Sequence, residues 1–148
     1  MDVKRFPIIS IILLTFAFLT IPLQYLFYGD LLFSISTLVM FGGVGFLFGA
    51  MSEGTSMFGF GIPLAIENND LLPKRYLPFA MVFGALFIWD DILSQSDELT
   101  KPWFWSAYVC SFTLFLVGTI SLRYYRIRGK QREQKEQNEI QSNLENLP

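Results

Sequence analysis

Two adjacent carboxylates, Asp90 and Asp91, close an apolar run that begins at Tyr76, and no basic residue lies within that run to neutralise them. If the run lies in hydrocarbon, an ionisable group there is costly and functional by default, which makes Asp90 and Asp91 a candidate outer cation or proton site. Acids at the C-terminal end of a helix also oppose its dipole, so helix stability alone does not choose this placement. The plainer reading, which we favour from the sequence, ends the helix at Trp89. Both acids then sit in water, opening an acidic outer loop with Asp97 and Glu98.

Other acid–base candidates are sparse. Glu53 and Glu67 flank a glycine-containing stretch and form a nominal carboxylate pair, but no nucleophile or metal-ligand cluster accompanies them, and solvation of a loop explains them better. Gly59-Phe-Gly61 is not a phosphate cradle, because no strand precedes it and no GxGxxG or GK[ST] pattern follows. The chain has no histidine and one cysteine, Cys110. That removes Ser-His and Cys-His nucleophile pairs, CxxC redox sites and most zinc sites, so we expect a non-enzymatic protein without a cofactor or metal.

Two patterns point to binding instead. Gly42, Gly45, Gly49 and Ser52 recur at three, four and three residues, which stacks them on one helical face and includes a GxxxG. Small residues let helix backbones approach closely in lipid, where burying apolar area gains little. The expected use is packing against another helix of the same chain, with self-association as the alternative. The basic run Arg123, Arg126, Arg128, Lys130 and Arg132 directly follows the last apolar stretch. Such clusters fix topology and attract anionic lipid headgroups, at about 1 kcal/mol per basic residue near the surface. Nucleic-acid binding would require a folded platform or stacking aromatics, and neither is legible.

The elements that must carry these residues are set by solvent. Of 148 residues, 52% are hydrophobic and 16% charged, and the charges are gathered into short clusters between uncharged stretches of about 20 residues. We therefore expect an all-α integral membrane protein, with spans at about 7–27, 31–50, 76–93 and 103–122. Lys4 and Arg5 precede the first run, but the run is longer than a signal-peptide core, so it reads as a retained span. Tyr28-Gly29-Asp30 is short enough to force the first two helices into an antiparallel hairpin, and the last two form a second. Pro22 predicts a local kink in the first. The third is short, since its charge-free part from Tyr76 to Trp89 is about 14 residues, or about 21 Å of helix. Residues 51–76 read as an inner loop, whose apolar middle, Met57 to Ile66, we take as surface rather than re-entrant.

Orientation follows from Lys and Arg. With both termini in the cytoplasm, only Lys101 of the 11 basic residues lies outside. Trp89, Trp103 and Trp105 then sit at the outer interface, and Tyr76, Tyr124 and Tyr125 at the inner one. Residues 1–125 form the transmembrane domain, and 126–148 a polar cytoplasmic tail, disordered or marginally helical. The expected setting is the plasma membrane. The expected role is accessory, regulatory or immunity-type, exercised through helix–helix binding to another membrane protein or to itself. The alternative is a homo-oligomeric transporter, channel or holin-like pore using Asp90 and Asp91.

Overall fold

The computed structural model describes residues 5–54, 76–89, 93–94, 97, 101–145 and 147, and among these there is no strand. Helix α1 (Phe6–Tyr28) runs unbroken across Pro22, starts with a proline in its first turn and ends at Gly29. Gly29 has φ 67°, a left-handed geometry that suits glycine, and its N–H reaches the Tyr25 carbonyl at 2.8 Å. One residue later Asp30 caps the next helix, its carboxylate accepting from the Phe33 N–H at 3.1 Å. The expected tight turn is therefore built from one glycine and one cap.

The second apolar segment is not a uniform helix. It comprises α2 (Leu31–Thr37), a π-helical stretch at Leu38–Gly42 and α3 (Gly43–Gly54). A π turn accommodates an extra residue without breaking the rod, so residues 31–53 still form one helix of 23 residues. Helix α4 (Tyr76–Leu86) has 11 residues and gives way to a turn at Phe87–Ile88, where the Ile88 N–H meets the Ala85 carbonyl at 3.2 Å. The regular helix is thus shorter than the expected span to residue 93, of which residues 90–92 lie outside the described ones. Helix α5 (Pro102–Glu145) continues for 44 residues, well past the expected end at 122.

Among the described residues, three helices are long and apolar enough to cross a membrane: α1, the α2–α3 rod and the first part of α5. Within these windows 61% of α5 is buried, against 11% of α1 and 22% of the second helix, so α5 is the hub. Its partners reveal direction. Ser111 with Phe41, Thr119 with Gly49 and Arg123 with Glu53 are all 70 residues apart, a constant offset that means α5 and the α2–α3 rod run parallel. Against α1 the order inverts, with Thr20 meeting Cys110 near the middle and Phe6 stacking on Tyr124 at the far end. Helix α4 is likewise antiparallel to α3, since Phe87 packs on Phe41 and Phe83 on Phe48. We call the end holding Phe6 and Tyr124 the base and the Gly29 end the top.

The packing is apolar outside and partly polar inside. Large side chains such as Ile11, Phe16, Leu26, Leu47 and Val82 are exposed, while Ser10, Thr20, Gln24, Ser34, Thr37, Ser106, Ser111, Thr113 and Thr119 are buried. Water would select the reverse. Most of the buried hydroxyls return to a carbonyl of their own helix, as Thr37 does to Phe33 at 3.0 Å, Ser111 to Ala107 at 2.9 Å and Thr113 to Val109 at 2.6 Å. Such back-bonding satisfies a hydroxyl where no solvent can.

Candidate functional site

The most polar point of the bundle lies at its base, where α3, α4 and α5 meet. Glu53, the penultimate residue of α3, is 2% exposed. Its carboxylate accepts from Arg126 Nη1 at 3.0 Å, from Arg123 Nη1 at 3.4 Å and from the Tyr76 hydroxyl. Arg126 also donates through Nη2 to the Glu53 backbone carbonyl at 3.3 Å. This second bond satisfies a carbonyl at the end of α3, and the two guanidinium charges offset the conflict between a terminal acid and the helix dipole.

This placement corrects the expectation for Glu53. Its sequence context points to a solvated loop, paired in name with Glu67, whereas α3 runs through Gly54 and carries Glu53 into the interior. Helix continuation past residue 50 is favoured because two cations descend from α5 to meet the acid. Glu67 and residues 57–66, including Gly59 and Gly61, lie outside the described residues.

Arg123 and Arg126 both reach Glu53. Read as anionic-lipid contacts, they turn toward Glu53: Arg123 is 3% exposed, while the Arg126 side chain keeps 31% of its surface open. Arg128, Lys130 and Arg132 are exposed, and Arg128 stands 5.4 Å over the Tyr124 ring. The sequence signal was present but indirect. Glu53 closes the second apolar run and Arg123 closes the last, so two parallel helices in register bring the acid and the base together.

Within the chain the glycine face lies against α5. A Cβ on Gly45 would lie 2.6 Å from the Ser111 carbonyl oxygen, and one on Gly49 would overlap the Phe115 carbonyl. Gly42 meets the Leu114 side chain, and Gly118 on α5 reciprocates by receiving the Phe46 carbonyl. Gly118 escaped the sequence reading, although it is the only glycine in the last apolar run. Ser52 departs from the row, since its hydroxyl donates to the Gly49 carbonyl at 2.7 Å and it lines a groove between α3 and α4. With this face occupied by α5, self-association must use another surface.

Asp90 and Asp91 lie outside the described residues, while Asp97 is exposed. Among the described residues no three His, Cys, Asp or Glu side chains gather closely enough to hold a metal ion. No protein-family model, curated protein or solved structure matches the chain.

Chemically, the base cluster is a clamp. Both Glu53 oxygens are engaged by donors from two other helices, so the carboxylate is not presented to a substrate as a free base. Among the described residues the cluster joins Glu53 to Arg123 and Arg126, and Arg126 is the member that reaches the surface.

Proposed function

We propose that this chain is a four-span protein of the plasma membrane with both termini in the cytoplasm, and that it acts without catalysis, by docking its first helix on another membrane helix. The single observation that carries the docking reading is the outer face of α1. A shallow, open depression lies there, lined by Ile11, Leu14, Thr15, Phe18 and Leu19. Thr15 is the short residue among long ones, and its hydroxyl is folded back on the Ile11 carbonyl at 2.7 Å, which leaves an apolar socket. In lipid, association is driven by close van der Waals fit rather than by burial of apolar area, so a socket at mid-helix suits an incoming side chain.

The crossing number and orientation rest on charge and aromatic placement. Arg5 and the basic residues from Arg123 onward lie at the base, and Trp89 and Trp103 at the opposite end, as expected if the base faces the cytoplasm. Helix α4 is about 16 Å long at 1.5 Å per residue and crosses only if the bilayer thins around it or adjoining residues extend it.

The test is crosslinking in native membranes. A photoreactive residue placed at Phe16, beside the socket, should yield a covalent adduct with a second copy or with a discrete membrane protein, while one at Phe33 on α2 should not. A monomeric mass in mild detergent together with no adduct from Phe16 sinks the docking reading.

A further inference from the structure

Two polar side chains on the buried faces of α1 and α5 differ from their neighbours. Most buried hydroxyls of the bundle return to a carbonyl of their own helix, as Ser34 does to Asp30 at 2.9 Å and Ser111 to Ala107 at 2.9 Å. Ser106, 1% exposed, forgoes that bond, and its Oγ has no hydrogen-bond partner among the described residues. Gln24, also 1% exposed, has none for Oε1 or for Nε2. Because Phe6 stacks on Tyr124 and Thr20 meets Cys110, each step up α1 matches one step back along α5. Gln24, four residues above Thr20, is therefore level with Ser106, four residues before Cys110. On the second rod, the 70-residue offset from α5 places the buried Ser34 and Thr37 at the levels of Phe104 and Ala107, on either side of Ser106. Toward the middle of the bundle this polar level gives way to the apolar packing of Ala17, Leu38 and Ile21 around Cys110.

We propose that Gln24 and Ser106 hold a bound water that bridges α1 to α5 inside the bundle. An amide and a hydroxyl are neutral, and each both donates and accepts, so the ligand they suit is a neutral molecule that does the same. Water is the smallest such molecule. A buried donor or acceptor left unmade costs its full desolvation, and lipid tails offer it nothing. Internal waters occupy places where two to four such groups share a small space, and three unmet atoms share this level. The site lies on the face of α1 turned away from the docking depression, so it stands independently of what α1 docks against. Hydration ends at Thr20 and Cys110, whose side chains already bond each other at 3.2 Å. The water is thus a clip between two helices rather than the start of a conduit.

Nuclear magnetic resonance of the full chain in detergent micelles, with nitrogen-labelled glutamine, tests this. The Gln24 side-chain amide is identified by its disappearance in Gln24→Leu. In the unchanged chain it should show a cross-peak to a long-lived water. Ser106→Ala should weaken that cross-peak severalfold, because the water loses a partner. Ser111→Ala, which removes a hydroxyl already satisfied within its own helix, should leave it unchanged. An amide whose cross-peaks reach only aliphatic protons overturns the site, and so does a water signal that is equal in Ser106→Ala and the unchanged chain. Thermal unfolding gives a second reading. The variant carrying both Gln24→Leu and Ser106→Ala removes the whole polar pair and should melt no lower than the worse of the two single variants. A midpoint lowered by the sum of the two single shifts would mean that no bridge joins them.

Discussion

Gly49 of α3 rests directly on the Phe115 backbone of α5, so closely that a single methyl group has no room between them. The same holds in reverse for Gly118 against Phe46. These contacts explain why the two parallel helices keep one register along their length. They also let the Thr119 hydroxyl reach the Gly49 carbonyl at 3.1 Å, a bond across the seam that no longer side chain at position 49 would permit.

Gly49→Val and Gly118→Val should each destabilise the bundle by about 1–3 kcal/mol, the usual range for overpacking. Gly43→Ala serves as the contrast. Nothing lies within 4 Å of a Cβ at Gly43, so alanine should stabilise by about 0.5–1 kcal/mol through its better helix propensity. Thermal unfolding in detergent, followed by circular dichroism, reads both. If Gly43→Ala and Gly49→Val shift the midpoint alike, the seam is misplaced.

Glu53→Gln removes the carboxylate that Arg123 and Arg126 share, and Arg123→Met removes one of the cations bound to the acid. Each should cost about 3–5 kcal/mol, because a buried charge deprived of its partner is far worse than an intact pair. The double variant Glu53→Gln with Arg123→Met should be less destabilised than the sum of the two singles. Additive losses in that cycle would mean that the two residues do not interact.

Orientation can be read by thiol labelling. Cys110 is buried, so replacing it with serine gives a background with little structural change, into which single cysteines are placed. A cysteine at Tyr28, exposed at the end of α1, should react with an impermeant maleimide added to intact cells, and one at Arg132 only after the membrane is opened. Labelling of both sites from one side would remove the proposed arrangement.

A docking protein need not pass ions. Asp90→Asn and Asp91→Asn should leave ion and proton flux in liposomes at the protein-free level, as should the unchanged chain. Flux from the unchanged chain that either substitution abolishes would replace docking with the pore reading.

Much of the scaffold was legible because hydrocarbon imposes simple lengths. The limits expected for the first helix, 7–27, differ by one residue at each end from Phe6–Tyr28, since a proline and a glycine mark them. The glycine row pointed to a close helix contact for the same elementary reason. Other features depend on partners distant in sequence. Glu53 looked solvated because its cations lie 70 and 73 residues away, and the π turn at Leu38–Gly42 has no proline or charge to announce it. The tail was read as disordered or marginal from its polar composition. It is helical to Glu145, which is reasonable for Gln, Glu, Lys and Arg propagating from a helix that the core has already nucleated.

Because α5 is both the hub and the tail, the molecule has a lever with its fulcrum in the bundle. Every residue from Arg128 to Glu145 is exposed, and no break separates that arm from the segment gripped by α1, α3 and α4. At 1.5 Å per residue the whole rod is about 66 Å long. A twist or tilt imposed on the arm would be transmitted to the glycine seam and the Glu53 clamp, unless the rod first bends at Gly129, which nothing surrounds.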